Sequence, residues 1–261
     1  MTLQEIYDLA VEMGIKSDPR GQDGVRRFLA RTKKEYEEMP QKKKQYFDKE
    51  SFKNPYSDSR ILFGDPKMKV GKLMAGIDAG VAEVLLLDRL NQKGEDVDIL
   101  VSHHPSSHAL ASLHEVMDMQ IDMFEEVGVP ANVAHVLFQE RMSQVKRRID
   151  PRNHTQATDA ARLLNVPFLA LHTIWDNLGH QFIKKYLGGK KFTTVGELMD
   201  EINKIPEFVE ATKGKAGPSI VSGSEKNRAG KIFVSFTGGT NASKELYVEL
   251  AKAGVGTIIE M

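Results

Sequence analysis

The chain has 261 residues, no cysteine, and 36 basic against 36 acidic side chains, so its formal charge at pH 7 is zero. Without cysteine there is no disulfide scaffold, thiolate zinc site, iron–sulfur cluster or cysteine nucleophile, and any metal must be held by nitrogen and oxygen. Balanced charge gives no bulk field for a polyanion, which argues against nucleic acid as a partner, and no apolar run approaches the ~20 residues of a membrane helix.

The first segment, MTLQEIYDLAVEMG, lacks the basic region, apolar core and cleavage site of a signal peptide, so the expected location is cytoplasmic. Thr2 and Glu5 stand at capping-box spacing ahead of Leu3, Ile6, Leu9, Ala10 and Met13, with Gly14 as a stop, which predicts a short amphipathic helix. Residues 21–50 are highly charged, with Lys33 and Lys34 four residues ahead of Glu37 and Glu38 and a lysine run at 42–44. Interleaved acids make this a solvated helical face rather than a nucleic-acid patch. Residues 51–70 are turn-rich and read as the entry to the main domain.

From Lys72 short apolar runs alternate with helical periods, which predicts an α/β architecture with a mainly parallel sheet flanked by helices. Strands are expected at 72–78, 97–102, 166–173 and 231–236, at 218–224 (PSIVSGS), and in the closing GTIIEM. Helices are expected at 81–90, 112–127, 131–148, 154–164, 176–187, 193–203 and in ASKELYVELAKAG. The division follows: a helical, charged segment over 1–71 and an α/β core over 72–261 with a helical insertion at about 112–165.

All eight histidines fall between positions 103 and 180. The sharpest feature is Ser102-His103-His104-Pro105 at the carboxyl end of an apolar run, where open α/β sheets place their ligands. Proline has no N–H for the ladder and closes the strand there. Adjacent side chains leaving a strand point in opposite directions, so the pair suits two ions better than one. A second strand ends in His172-Thr173-Ile174-Trp175-Asp176. Asp176 stands where a helix begins, so it is either an N-cap or a metal carboxylate, while Trp175 reads as a packed group. Asp78 ends a third run, either as an N-cap or as a carboxylate that orients a ligand histidine. Gly238 and Gly239, in the turn after 231–236, either serve a tight turn or cradle a phosphate on backbone N–H groups.

Taken together, KLMAGIDAGVAEVLLLDRL…DILVSHHPSS, FLALHTIWDNLGHQFIKKYL and IFVSFTGGTNASKELYVELAKAGVGTIIE resemble the Nif-three-like family, which includes proteins named type 2 GTP cyclohydrolase I. The resemblance covers most of 60–110, 166–190 and 231–261, and SHHP with HTxxD is its specific part. It implies a layered α/β fold, two divalent metal ions (zinc, iron or manganese) per site, and a ring-shaped homo-oligomer. His103, His104 and Asp176 carry over as metal ligands, with Asp78, His172, Gly238 and Gly239 as supporting or substrate candidates. The implied function is a metal-dependent hydrolase acting on a nucleotide or related phosphorylated heterocycle, with a non-catalytic metal-binding adaptor as the alternative. Three departures stand out: a longer stretch between SHHP and HTIWD, YSDSRILFGD in place of the family's early Trp-Asp-Asn segment, and no H-x-x-x-E motif before Met261. With a His/His/Asp set alone, the expectation is incomplete metal occupancy.

Overall fold

The computed structural model describes residues 1–261. In chain order the elements are α1 (Leu3–Lys16), α2 (Gly21–Glu38), α3 (Gln41–Lys44), β1 (Arg60–Phe63), β2 (Leu73–Gly76), α4 (Val81–Asn91), β3 (Ile99–Ser102), α5 (Ser107–Ala111), α6 (Met119–Glu126), α7 (Ala131–Ile149), α8 (Gln156–Leu163), β4 (Phe168–Ala170), α9 (Thr173–Leu187), α10 (Val195–Ile202), α11 (Pro206–Lys213), β5 (Lys231–Ser235), α12 (Lys244–Lys252) and β6 (Val255–Glu260). No helix is long and apolar enough to cross a membrane.

The main sheet has the order β1-β4-β3-β2. β2, β3 and β4 run parallel, and β1 closes one edge antiparallel to β4, pairing Arg60 with Ala170. Every residue of β3 and β4 is buried, as expected of parallel strands covered on both faces. The two-residue side-chain period sorts them. Leu100, Phe168 and Ala170 face Val84 and Leu87 of α4 and Ala157 and Ala161 of α8. Ile99, Val101, Leu169 and Leu171 face the opposite way, against Leu3 and Tyr7 of α1 and Ile174 of α9. Each such fully buried aliphatic or aromatic side chain contributes about 1.5–3 kcal/mol through removal of apolar surface from water.

α1 forms as its sequence predicts. The Thr2 hydroxyl accepts from the Glu5 amide at 3.1 Å while the Glu5 carboxylate accepts from the Thr2 amide at 2.8 Å, satisfying two otherwise orphaned donors. Gly14 near its end permits close packing on α9: a Cβ there would stand 3.0 Å from side-chain atoms of Ile174 and Tyr56.

β5 and β6 make a second, two-stranded parallel sheet. Phe233 packs edge-on to Phe124, which meets Phe138 of α7 in the same way, with ring centroids 5.5 and 5.0 Å apart. The neighbouring β5 residue, Val234, faces the other way, toward Ile183 and Leu187 of α9 and Leu198 and Ile202 of α10. α9 therefore contributes to two cores: Ile174 near its start packs with the four-stranded sheet, and its later turns pack with the two-stranded one.

Several expectations are corrected. Residues 218–224 form no strand; Val221 is 95% exposed, with no neighbouring strand to pair with. β1 lies within the stretch read as turn-rich, and α11, opened by Pro206, was not anticipated. The helix expected over 112–127 begins as a 3-10 turn at 113–118 before α6. α9 starts three residues earlier than expected, at Thr173, so Asp176 sits inside its first turn and the N-cap position belongs to His172.

Candidate metal centre

His103 and His104 follow the last residue of β3. Past the strand the His103 and His104 amides donate to the carbonyls of Gly76 and Ile77 at 2.9 and 2.8 Å, successive residues to successive residues, which is no longer the alternating pattern of a ladder. Despite their adjacency the two side chains converge. Ligand nitrogens of His103, His104 and His172 all lie within 4.8 Å of one another, and the His103 and His172 rings are 4.7 Å apart. The expectation that neighbouring histidines must diverge fails because the backbone leaves strand geometry at Ser102, where strict alternation ends.

His172 stands just beyond β4, so two of the three imidazoles follow β3 and the third follows its parallel neighbour. Asp176, one turn into α9, reaches back between them. Its Oδ1 is 3.4 Å from His103 Nε2 and its Oδ2 is 3.9 Å from His172 Nδ1. Asp78, after β2, lies 2.7 Å from His104 Nδ1, which leaves Nε2 of that ring as the other nitrogen. His104 and Asp78 are exposed, whereas His172 and Asp176 are buried. Thus Asp78, His103, His104, His172 and Asp176 are brought together.

Gly238 and Gly239 are not among the residues that line the cleft beside His103 and Asp176, although Phe236, two residues before the turn, is. Both have positive φ, and their turn closes on the segment 113–120, where the buried Gln120 amide donates to the carbonyls of Gly238 and Thr240 at 2.6 and 2.7 Å. Trp175 has a double role: it packs against the core beside Ile174 and stacks on the His103 ring, 5.9 Å away and 10° from parallel. With His103, Asp176, Ile77 and Phe236 it lines an open cleft of about 410 Å³.

The sequence reading missed Asp58. This residue is fully buried just before β1, and its Oδ2 accepts from His172 Nδ1 at 2.8 Å and from the Thr173 hydroxyl at 2.6 Å. No local signal marks it, since an aspartate among Ser, Asn and Pro looks like an ordinary turn residue.

The electrostatics are those of a desolvated cluster. Burial, with the charges of His172 and His104 adding to it, pushes His103 down to about 4. Burial also lifts Asp176 to about 7, an effect the His172 charge opposes and Asp58 reinforces. For the Asp58–His172 pair burial works against both charges, yet their mutual hydrogen bond and attraction prevail, lowering Asp58 and raising His172.

This donor set suits a divalent cation. The His103 nitrogen that meets Asp176 is Nε2, at 3.4 Å. Three nitrogens arranged tetrahedrally around one ion with ~2.1 Å bonds lie about 3.4 Å apart, so ligand atoms within 4.8 Å of one another would draw together around a single ion. Imidazole and carboxylate donors suit zinc, iron and manganese alike.

A mainly parallel sheet with a histidine cluster at its strand ends defines an α/β protein whose side chains could hold a metal ion. Among solved structures the chain is similar to a NIF3 superfamily protein from Sphaerobacter thermophilus, with 26% identity and a TM-score of 0.67 over 78% of this chain and 74% of that one. The protein has a NIF3-like fold, in agreement with the resemblance drawn from SHHP and HTIWD. No family model and no curated protein matches the sequence.

Proposed function

We propose that the protein is a divalent-metal-dependent hydrolase acting on a nucleotide or a related phosphorylated heterocycle. The observation that supports this most directly is the convergence of His103, His104 and His172 with the buried Asp176 beside an open cleft. A GTP cyclohydrolase-like reaction, in which water opens the imidazole ring of GTP and releases formate, is the specific form of the proposal, with two ions per site. Bound divalent ions would supply Lewis acidity that activates water and polarises the attacked centre. The chain's own residues have separate tasks. Asp78 and Asp58 orient His104 and His172, Asp176 offers a buried carboxylate that would help hold the ions, and Ile77, Trp175 and Phe236 give the cleft apolar walls suited to a flat ring. A homo-oligomer belongs to the same proposal; the outer edge of β2 is unpaired and carries the exposed Leu73.

The test is to load the protein with zinc, iron(II) or manganese and assay nucleotides for formate and phosphate release. Turnover abolished by chelator and by His104→Ala is the expected result. Metal binding with no turnover of any nucleotide would replace the hydrolase with a metal-binding regulatory or interaction protein.

A further inference from the structure

Resting on the reading of the histidine cluster as a metal site, we infer that Asp58 is a positioning residue that fixes His172 as a single tautomer and so prepares its second ring nitrogen for the metal. The hydrogen-bond inventory leaves little choice. An ionised carboxylate only accepts, so Asp58 Oδ2, 2.8 Å from His172 Nδ1, requires a proton on Nδ1, and in the neutral ring that a metal binds this leaves Nε2 with the free lone pair. Thr173 strengthens this assignment, because its hydroxyl donates to the same oxygen at 2.6 Å. Ser59 completes the clamp: its hydroxyl donates to Asp58 Oδ1 at 3.2 Å and accepts from the His172 amide at 3.0 Å. The pair Asp58-Ser59 therefore holds both the backbone and the ring of His172. Asp58, Ser59 and Thr173 are all fully buried, so water does not compete for these bonds. Carboxylates behind metal-binding histidines raise ligand basicity and fix ring orientation, and losing one costs about 10–100-fold in metal affinity.

The experiment measures Zn²⁺ affinity by competition with a chromophoric chelator in the parent, Asp58→Ala, Asp58→Asn, His172→Ala and the Asp58→Ala/His172→Ala double variant. Nitrogen-15 NMR of the His172 ring in the metal-free protein reports its tautomer. The expected result is an Nδ1–H tautomer in the parent that is lost in Asp58→Ala, with Zn²⁺ affinity falling 10–100-fold. Asp58→Asn, which keeps the shape and an accepting oxygen, should retain the fold and show a smaller loss than Ala. In the His172→Ala background, Asp58→Ala should have no further effect, since Asp58 acts only through that ring. Parent-like affinity in both Asp58 variants, an unchanged tautomer in Asp58→Ala, or equal losses in both backgrounds would overturn the inference. If the parent itself bound no Zn²⁺, the metal reading would fall on its own, and the NMR comparison would still decide whether Asp58 sets the His172 tautomer.

Discussion

Asp176 Oδ1 lies 3.4 Å from His103 Nε2, and its side chain is only 5% exposed. A carboxylate so desolvated, without a close donor, is held at a cost to the fold. Asp176→Asn should therefore stabilise the metal-free protein by about 1–2 kcal/mol, as active-site substitutions that relieve stored cost often do. The same change should sharply weaken zinc binding. Thermal denaturation of metal-free parent and variant, followed by zinc titration, checks both. A destabilised variant with parent-like zinc affinity would assign Asp176 a purely structural role.

Zinc itself should raise the melting temperature of the parent. A ligand that binds only the native state adds about 2.7 kcal/mol at a hundredfold excess over its Kd. Chelator should reverse the shift, and His104→Ala should abolish most of it. Calorimetric scans with and without zinc and with excess chelator give the answer; coincident scans would mean that the cluster does not hold this ion.

His180, one turn after Asp176 in α9, gives the protein an acid-sensitive point outside the histidine cluster. It is 2% exposed in α9, its Nδ1 accepts from the Phe236 amide at 3.5 Å, and its Nε2 has no partner. Burial, with the nearby Lys184 charge adding and Asp18 opposing, lowers it to about 4. The unfolded chain therefore takes up this proton near pH 6.5 while the native state resists until about 4. Stability associated with neutral His180 is complete above 6.5 and declines as pH falls through that window, by on the order of 3 kcal/mol at most. Denaturant unfolding at pH 7.5 and pH 4.5 should show a steeper loss in the parent than in His180→Gln; parallel losses would contradict this.

The Gly238 turn is sensitive for a steric reason. At φ +95° an added Cβ would come 2.4 Å from the Gln120 side chain, which is itself anchored by the carbonyls of the turn. Gly238→Ala should cost about 1–3 kcal/mol from the left-handed backbone alone, with displacement of Gln120 adding to it. Zinc affinity should stay within a fewfold of the parent, which titration of the folded variant would show.

These residues also indicate what was legible in the sequence. β3 and β4 could be read because each is an apolar run ending in histidine, and Pro105 shortly closes the first. The Thr2–Glu5 cap was likewise written locally. β1 was not legible: RILF is four residues long, set among turn formers, and becomes a strand because β4 is there to pair with it. The reverse holds for PSIVSGS, where only Ile220 and Val221 favour a strand and no neighbour pairs with them. Asp58 and His172 lie 114 positions apart, so only the folded chain reveals their bond.

The antiparallel direction of β1 determines which part of the chain can serve the rim where the histidines stand. Parallel strands present their carboxyl ends there, whereas a reversed strand presents its amino end, so Asp58 and Ser59 arrive from upstream of β1 just where His172 leaves β4. The leading segment is thus a wall of the site as well as a cover for the sheet. A protein shortened to begin at Lys72 would keep the SHHP and HTIWD motifs intact but lack β1 and both groups that hold His172 in place.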